Sequence, residues 1–358
     1  MTFEIVACMC AQDSLVHHYL MPIALHPEVS RLWIVRPRKS LYGDIPKSEY
    51  VLAPARFRIF RFIRMIMICF KLGARKEVGA FVSFNPFPYG FIAYLAARWH
   101  NKPVHFGFIG SDWYRHIKGK FGRFLLPIAK KASFITATGE LMRTEMLELG
   151  LDAEKIKVLP HSVDLDRMKR NEPEKAKYDC IYVGQLIERK RVDLILQGFA
   201  KVSAAHPEAR LCIVGDGPLR GSLENMARRL GIADAVDFAG FRIDVERYLA
   251  DSRIILIASN MEGLPFAMIE GMCSGLAPVC TPVGTIPNLI KDGVNGLLFP
   301  CGDANALADC VNRLIENPLL YETIRKNAIQ ARKIFSYESA TALWDDWFRS
   351  ISTRKDLI

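Results

Sequence analysis

The chain has 358 residues, half of them hydrophobic, and a formal net charge of +10, so it is long enough for two domains of ordinary size. No apolar stretch reaches the roughly 18 to 20 residues of a membrane-spanning helix. The first residues, MTFEIVACMC, lack a basic segment followed by an apolar core and a cleavage site, and we expect a first strand there rather than a signal peptide. The nine cysteines form no C-x-x-C pair, which favours reduced core thiols in a cytoplasmic protein over disulfides or metal ligands.

The whole net charge lies in the first half of the chain. Residues 1–165 contain 23 basic and 13 acidic side chains, whereas the remainder contains 25 of each. A basic first half favours an anionic surface or an anionic substrate as its partner.

Short apolar runs alternate with longer periodic segments along the chain. In the first half, this pattern predicts strands at 4–8, 32–35, 80–83, 104–108 and 134–138, and helices at 14–25, 57–72 and 89–99. In the second half, it predicts strands at 180–183, 211–214, 236–238, 254–258 and 277–280, and helices at 192–202, 219–230, after Pro265 and at 304–315. The alternation is typical of two parallel, doubly wound α/β domains in tandem. Polar residues interrupt it near 160–173, so we place the domains at 1–165 and 166–335.

Two carboxylates stand out in the segment ASNMEGLPFAMIEGMCSG. Glu262 lies in a loop after a strand, and Glu270 lies about a turn and a half inside the following helix. Pro265 suits the first turn of that helix, where its missing N–H costs nothing. The loop and the first turn, which comprise Gly263, Leu264, Pro265 and Phe266, therefore predict an anion site at the helix N-terminus. A carboxylate pair beside such a site indicates a ligand with both hydroxyl and phosphate groups.

The E-x7-E spacing of Glu262 and Glu270 resembles the signature of glycosyltransferase family 4, whose members are retaining enzymes of the GT-B fold. The segments GLAPV and DGVNGLLF resemble two further motifs of that family, and FSYE at 335–338 resembles the turn before its last helix. The resemblance implies two Rossmann-like domains facing a central cleft, with a C-terminal helix at 336–358 that crosses back to the first domain. It also implies that Glu270 binds the ribose of a nucleotide-diphosphate sugar and that Glu262 binds hydroxyls of the sugar.

The segment YVGQLIERKR resembles the family's pyrophosphate-binding motif. Gly184 ends a strand and permits close backbone approach, and Lys190, with Arg189, is placed to neutralise a leaving diphosphate. Gln185 stands where the family usually has arginine.

Two shorter segments match the family's nucleotide-binding turns. IVGDGP places Gly217 in a turn after a strand, which alone is a weak signal. FAGFR makes Phe241 and Arg242 the candidates for contact with the base, although both are equally consistent with a core aromatic residue and a surface charge.

In the first half, FIGSDW matches the last positions of the family's H-G-[ST]-D loop. Asp112 is the candidate for a sugar or acceptor contact, and Ile109 stands where the family often has a donor-binding histidine. His105 is a conceivable substitute, although a core position is favoured. No glycine occurs before Gly43, so the family's Gly-rich loop after the first strand is missing, and we place acceptor contacts near Ser14.

No metal site is predicted. Asp164-x-Asp166 is expected to form a loop and cap, and the adjacent His17 and His18 have no partner at ligand spacing. The resemblance likewise implies a reaction without a metal or any cofactor, the nucleotide sugar being a substrate.

The predicted helix at 57–72 is strongly basic. Arg58, Arg61 and Arg64 lie three residues apart, beside an apolar arc formed by Phe62, Ile66, Ile59, Phe70 and Ile63. With the further cations at 115–123, this pattern favours contact with an anionic membrane over an ordinary helix that covers the sheet with a basic outer face. Nucleic acid is not expected, because no recognition motif accompanies the charge.

These features predict a cytoplasmic enzyme, peripheral on the inner face of the membrane. It would be a metal-independent, retaining hexosyltransferase that moves a sugar from a nucleotide-diphosphate sugar to a glycan or lipid-linked acceptor. The product would belong to cell-surface polysaccharide or glycolipid synthesis. The expected catalytic residues are Glu262, Lys190 and Asp112. Two alternatives stay open: a nucleotide-sugar epimerase of the same fold, for which no acid/base set is visible, and a catalytically weakened nucleotide-sugar-binding scaffold, which Gln185 and Ile109 make conceivable. The base, the sugar, the acceptor and the linkage depend on loop shapes that motifs do not specify.

Overall fold

The computed structural model describes residues 2–110, 112–119, 121–159, 161–168 and 172–355. The chain forms two compact units: unit 1, which is Met1–Ser162 with Tyr337–Ile358, and unit 2, which is Val163–Ser336. The first division falls a few residues before the predicted boundary at 165/166. The reason is that Val163 is buried within unit 2, where its N–H donates to the Phe335 carbonyl at 2.8 Å.

Unit 1 contains a seven-stranded sheet with the order β3-β2-β1-β4-β5-β6-β7. Every neighbouring pair is parallel. The strands are β1 (Phe3–Cys8), β2 (Val29–Arg36), β3 (Ser48–Leu52), β4 (Val78–Phe84), β5 (Val104–Gly107), β6 (Phe134–Ala137) and β7 (Ile156–Val158). The helices between them are α1 (Asp13–Leu25), α2 (Arg58–Gly73), α3 (Phe91–Trp99), α4 (Gly122–Ala129) and α5 (Glu140–Glu148). Helices α2 to α5 share one core, on one face of the sheet, and α1 packs in a second core on the other face, as right-handed crossovers require.

Unit 2 repeats this plan with a six-stranded parallel sheet of order β10-β9-β8-β11-β12-β13. The strands are β8 (Tyr178–Val183), β9 (Leu211–Val214), β10 (Val236–Gly240), β11 (Ser252–Ile257), β12 (Ala277–Cys280) and β13 (Leu297–Leu298). The helices are α6 (Val192–Ala205), α7 (Arg220–Arg229), α8 (Val245–Ala250), α9 (Phe266–Ser274), α10 (Ile286–Leu289), α11 (Ala304–Glu316), α12 (Pro318–Ala328) and α13 (Arg332–Phe335). Two clusters of buried residues fill the two faces of this sheet.

The C-terminal helices α14 (Tyr337–Ala342) and α15 (Asp345–Lys355) belong to unit 1. Trp344 is fully buried there, and the Trp347 ring stacks on Phe134 of β6 at 5.2 Å. Phe348 meets the Phe3 ring of β1 edge-on at 5.5 Å. This aromatic core holds the end of the chain on the first domain. The structure thus confirms the predicted fold class, which is two doubly wound parallel sheets with a C-terminal helix that returns to the first domain.

The predicted apolar arc of α2 is displaced from the face that packs on the sheet. The core takes Met65, Cys69 and Leu72, whereas Ile59 and Ile63 are exposed and the other members of the arc are partly buried. A period of 3.6 residues fixes the angles between side chains but not which side meets the sheet, and α2 is apolar over most of its circumference. None of the described helices is long and apolar enough to cross a membrane.

Candidate functional site

The candidate site of unit 2 lies where the strand order reverses, between β8 and β11. Parallel sheets bind ligands at the carboxyl ends of their strands at this point, because the helices after the two strands leave on opposite faces. The loop after β8 runs from Gly184 to Arg191, and the loop after β11 runs from Ala258 to Pro265. The N–H of Asn260 donates to the Arg189 carbonyl at 2.9 Å, so the backbone itself joins the two loops.

The backbone hydrogen bond between the two loops accompanies a contact between the side chains of Lys190 and Glu262. The Lys190 ammonium donates to Glu262 Oε1, which also accepts from Ser259 Oγ at 2.6 Å. Arg189 is more exposed, and its Nη1 lies 3.9 Å from Glu262 Oε2. The Glu262 side chain is only 7% exposed and that of Lys190 only 17%. A cation and a carboxylate are therefore held together at the carboxyl ends of two neighbouring strands.

The turn into α9 is built by close backbone packing. Gly263 O accepts from Thr285 Oγ1 at 2.7 Å, and a Cβ on Gly284 would lie 2.0 Å from Glu262 O. Pro265 is the extended residue that precedes the helix, and the first helical residue is Phe266, so the prediction that Pro265 lies in the first turn is wrong by one position. The first N–H groups of α9 have no partners within the helix, as in any helix, so this shift of one position does not remove the predicted anion site. Of the neighbouring predicted residues, Leu264 and Phe266 pack partly into the core.

Glu270 lies inside α9 and is buried. Burial raises its pKa to about 8, the Glu246 carboxylate adds to the rise, and the Arg167 guanidinium opposes it. Arg167 itself donates to Glu246 Oε1 at 2.7 Å. The raised pKa favours the protonated form of the Glu270 carboxyl near neutral pH, and in that form it offers both a hydrogen-bond donor and an acceptor.

Glycines, among them the predicted Gly184 and Gly217, allow three loops to meet at this edge of the sheet. A Cβ on Gly215 would lie 1.8 Å from the Gly184 carbonyl oxygen, and one on Gly217 would lie within 3 Å of the Leu186 backbone. Gly184 N–H donates to Val214 O at 2.9 Å, and Gly215 N–H donates to Gly240 O at 2.8 Å. The loops after β8, β9 and β10 thus form one layer that only glycine permits at these positions.

Phe241 and Arg242 follow β10 on the surface of unit 2. The Phe241 side chain is 71% exposed, so the core alternative for it is wrong. Arg242 Nε donates to the Tyr248 hydroxyl at 2.7 Å. An exposed aromatic ring beside the glycine layer is chemically suited to stack on a planar base.

In unit 1, Asp112 follows β5 and is buried. Its Oδ1 accepts from the N–H groups of Ile109 and Trp113, each at 3.0 Å, and its Oδ2 has no hydrogen-bond partner among the described residues. Burial raises the pKa of Asp112 to about 6, against the lowering effect of these N–H groups. Asp112 also borders a narrow apolar crevice whose other walls include Phe87, Phe91, Phe108, Ile117 and Leu125.

The other predicted residues of unit 1 have structural surroundings. His105 is fully buried and bonds to Thr136 Oγ1 at 2.9 Å, and burial lowers its pKa to about 3, so the favoured core position is confirmed. His18 bonds to the hydroxyls of Tyr337 and Tyr42 at 2.9 and 3.2 Å. Ser14 lies in the first turn of α1, half-buried.

The three arginines of α2 differ in exposure. Arg58 and Arg64 are exposed, and Arg61 is half-buried. Arg61 Nη2 donates to Ala55 O at 3.2 Å, and Arg64 Nη1 donates to Pro54 O. Two of the three therefore also fasten the chain that leads into the helix.

Sequence reasoning missed Ser259, Arg167 and Glu246. Ser259 lies three residues before Glu262, and its position at the end of an apolar run was the available signal. Arg167 and Glu246 are 79 residues apart, and nothing in the sequence pairs them. Asp164, by contrast, caps its own loop by accepting from Asp166 and Arg167 N–H groups, as predicted. Among the described residues, no group of three His, Cys, Asp or Glu side chains is arranged to hold a metal ion.

In a comparison with known protein families, the part of the chain that matches a family lies in unit 2. Residues 164–331, just under half of the chain, match the family described as glycosyl transferases group 1. An N-acetyl-alpha-D-glucosaminyl L-malate synthase of Bacillus anthracis is 32% identical over 148 residues, which are 41% of this chain and 39% of that protein. An alpha-D-kanosaminyltransferase of Streptomyces kanamyceticus is 26% identical over 280 residues, 71% of this chain and 72% of that protein.

Several curated relatives are matched over only part of their length: the chain spans 39% of the malate synthase and 18% of an exopolysaccharide phosphotransferase of Streptomyces coelicolor. Among solved structures, Alr3699/HepE of Anabaena, in complex with UDP and glucose, superposes with a TM-score of 0.79 at 18% identity and covers 97% of this chain and 100% of that one. Sucrose-phosphate synthase of Thermosynechococcus elongatus superposes with a TM-score of 0.76 at 15% identity, over 98% and 100% of the two chains. The two domains thus have the GT-B fold of these proteins.

Proposed function

We propose that the chain is a retaining, metal-independent glycosyltransferase that moves a sugar from a UDP-sugar to a glycan or lipid-linked acceptor in polysaccharide or lipopolysaccharide synthesis. The observation that carries the proposal is the contact of Lys190 with Glu262 at the point where the strand order of unit 2 reverses, with Glu270 buried in the helix that follows. The match of this unit to the group 1 glycosyl transferases supports the reaction class.

Each group has a role that suits its surroundings. The neutral carboxyl of Glu270 would bond the two ribose hydroxyls, donating to one and accepting from the other. Glu262 would accept hydrogen bonds from hydroxyls of the sugar, and Lys190, aided by Arg189 and the N-terminus of α9, would stabilise the departing diphosphate. These are the roles that the E-x7-E resemblance implies.

UDP is proposed as the nucleotide because solved structures of similar fold contain it: Alr3699/HepE binds UDP and UDP-glucose. A polysaccharide product is proposed because relatives include a putative colanic acid biosynthesis glycosyltransferase of Salmonella typhimurium and a lipopolysaccharide core biosynthesis glycosyltransferase of Rhizobium meliloti.

The proposed reaction needs no nucleophilic side chain. The bond between the anomeric carbon and the diphosphate oxygen breaks, and its electron pair leaves with the diphosphate. The acceptor oxygen attacks on the face that the diphosphate vacates and forms the new glycosidic bond. The acceptor proton passes to the departing phosphate oxygen, so the anomeric configuration is retained. Asp112, whose Oδ2 has no hydrogen-bond partner in the described part of the chain, would position a hydroxyl of the acceptor or the sugar.

Calorimetric titration of UDP, GDP and ADP, followed by proton NMR of the product formed from the donor that binds, tests this proposal. We expect selective UDP binding that Glu270→Ala weakens at least tenfold, and an axial donor sugar that stays axial in the product. Leu319→Ala, on the exposed surface of unit 2, serves as a control that leaves both unchanged. Inversion would refute the retaining mechanism, and interconversion of the UDP-sugar without an acceptor would instead indicate an epimerase.

A further inference from the structure

The outer face of α2 in unit 1 is apolar. Ile59, Ile63 and Met67 follow one another at intervals of four residues and form one ridge, which Phe60 flanks. Their exposed fractions are 64%, 45%, 57% and 57%, respectively. Single exposed apolar residues are common on protein surfaces, but a row of three with a fourth beside it on one helix is not.

A second helix repeats this feature. At the start of α4, Phe121 and Phe124 are 59% and 60% exposed, and the Arg123 guanidinium lies 4.7 Å from the centre of the Phe124 ring. Both α2 and α4 pack in the same core on one face of the sheet. α2 follows β3, and α4 follows β5 after a short helix at Trp113–Ile117. The exposed rings of Phe57, Phe121 and Phe124 lie just before or within the first turns of these two helices.

The charge in both segments has a single sign. From Tyr50 to Lys76 the chain contains seven Lys and Arg residues and no Asp or Glu. From Trp113 to Gly139 it contains six Lys and Arg residues and again no acid. Arg75 and Lys118 pair with acids outside these segments, Glu4 at 3.2 Å and Glu145 at 2.9 Å. Among the described residues, Arg64 and Lys71 on α2 and Arg123 on α4 form no ion pair, and these cations accompany the exposed apolar residues of the two helices.

We propose that the outer faces of α2 and α4, together the α2–α4 surface, bind an anionic lipid bilayer. A bilayer of anionic lipids offers an apolar layer for the side chains of Ile63 and Phe124 and negative headgroups for the flanking cations. A nucleic acid would satisfy the charge but leave the aliphatic row of α2 exposed to water, and a neutral protein surface would leave the cations unpaired. This inference concerns a surface of unit 1 and does not rest on the function proposed for unit 2.

Co-sedimentation of the full chain with vesicles tests the proposal. Three double variants are compared with the wild type: Lys71→Gln/Arg123→Gln for the charge, Ile63→Ser/Phe124→Ser for the apolar side chains, and Leu319→Ser/Lys326→Gln as a matched pair of exposed α12 residues in unit 2. Vesicles of phosphatidylcholine alone are compared with vesicles that contain phosphatidylglycerol. Circular dichroism establishes that each variant is folded.

We expect the wild type and the α12 variant to bind the phosphatidylglycerol vesicles at low salt and to be released as salt rises. Each lost cation should weaken binding about fivefold, and the apolar variant should weaken it about tenfold. Absence of sedimentation with anionic vesicles at low salt would overturn the proposal. So would equal binding to phosphatidylcholine alone, or folded charge and apolar variants that both bind like the wild type.

Discussion

Breaking the contact between Lys190 and Glu262 should destabilise unit 2 far more than breaking an exposed ion pair. Lys190→Met removes the ammonium that Glu262 Oε1 accepts from and leaves a carboxylate that is 7% exposed. The carboxylate keeps only the Ser259 hydroxyl at 2.6 Å and the more distant Arg189. A carboxylate so enclosed cannot recover the lost interaction from water.

The magnitude follows from the burial of the two groups. Two unit charges about 4 Å apart attract by about 4 kcal/mol at the effective dielectric constant of a protein surface, and desolvation offsets part of this. Since Ser259 and Arg189 remain, Lys190→Met should cost about 2 to 3 kcal/mol, below the 3–5 kcal/mol typical of a fully buried pair. The double variant with Glu262→Gln should recover part of this loss, which gives a coupling energy of about 2 kcal/mol.

Urea unfolding of the four proteins of this double-mutant cycle measures the coupling. Circular dichroism is the suitable probe, because all five tryptophans lie within unit 1 and their fluorescence reports on that unit. Asp244 and Arg247, an exposed pair of unit 2 at 3.5 Å, provide the control cycle, with a coupling energy within about 0.5 kcal/mol. A Lys190–Glu262 coupling no larger than that of the control would refute the reasoning.

Three further perturbations have defined outcomes in equilibrium unfolding. Burial raises the pKa of Glu270 from 4.5 to about 8, so between these pH values the folded chain keeps a proton that the unfolded chain has released. The free energy of unfolding should therefore fall by up to about 1.4 kcal/mol per pH unit in this range. A Glu270→Gln variant with the same slope would contradict this. Gly215→Ala should cost about 2 kcal/mol or more, since its Cβ would meet the Gly184 carbonyl at 1.8 Å and its φ is +143°. Gly221→Ala, in α7 with nothing within 4 Å, should stabilise slightly and serves as its control; equal effects would show that the close approach is absent. Trp344→Ala should destabilise unit 1 by about 3 to 5 kcal/mol because this ring is fully buried, and a cost below about 1 kcal/mol would mean that α14 and α15 are not firmly packed.

Local patterns predicted the elements that carry most of the fold. β9 and β12 match their predicted bounds, 211–214 and 277–280, because short apolar runs between turn residues specify buried parallel strands well. β3 and β7 were missed, since each lies at an edge of the sheet and is partly exposed, so neither forms a continuous apolar run. Edge strands are specified by their neighbour's backbone, which a single sequence does not show.

The residues of the candidate site also differ in how far the sequence alone could predict them. Lys190 and Glu262 each lie in a loop after a buried strand, which the sequence shows locally. The structure brings them together because the two strands, β8 and β11, are neighbours in the sheet. The surroundings of Glu270 are not local, since Arg167 and Glu246 lie far from it and from each other in sequence. The raised pKa of Glu270 could therefore not be predicted from the sequence alone.

The most direct test of the central claim is turnover: release of UDP from UDP-sugars by the wild type and by Glu262→Gln, with glycan and lipid-linked acceptors supplied. We expect one donor to be consumed in step with glycoside formation, and Glu262→Gln to lower kcat at least about 100-fold while UDP still binds. Tight UDP binding without sugar transfer to any acceptor would contradict the account and would indicate a nucleotide-sugar-binding scaffold.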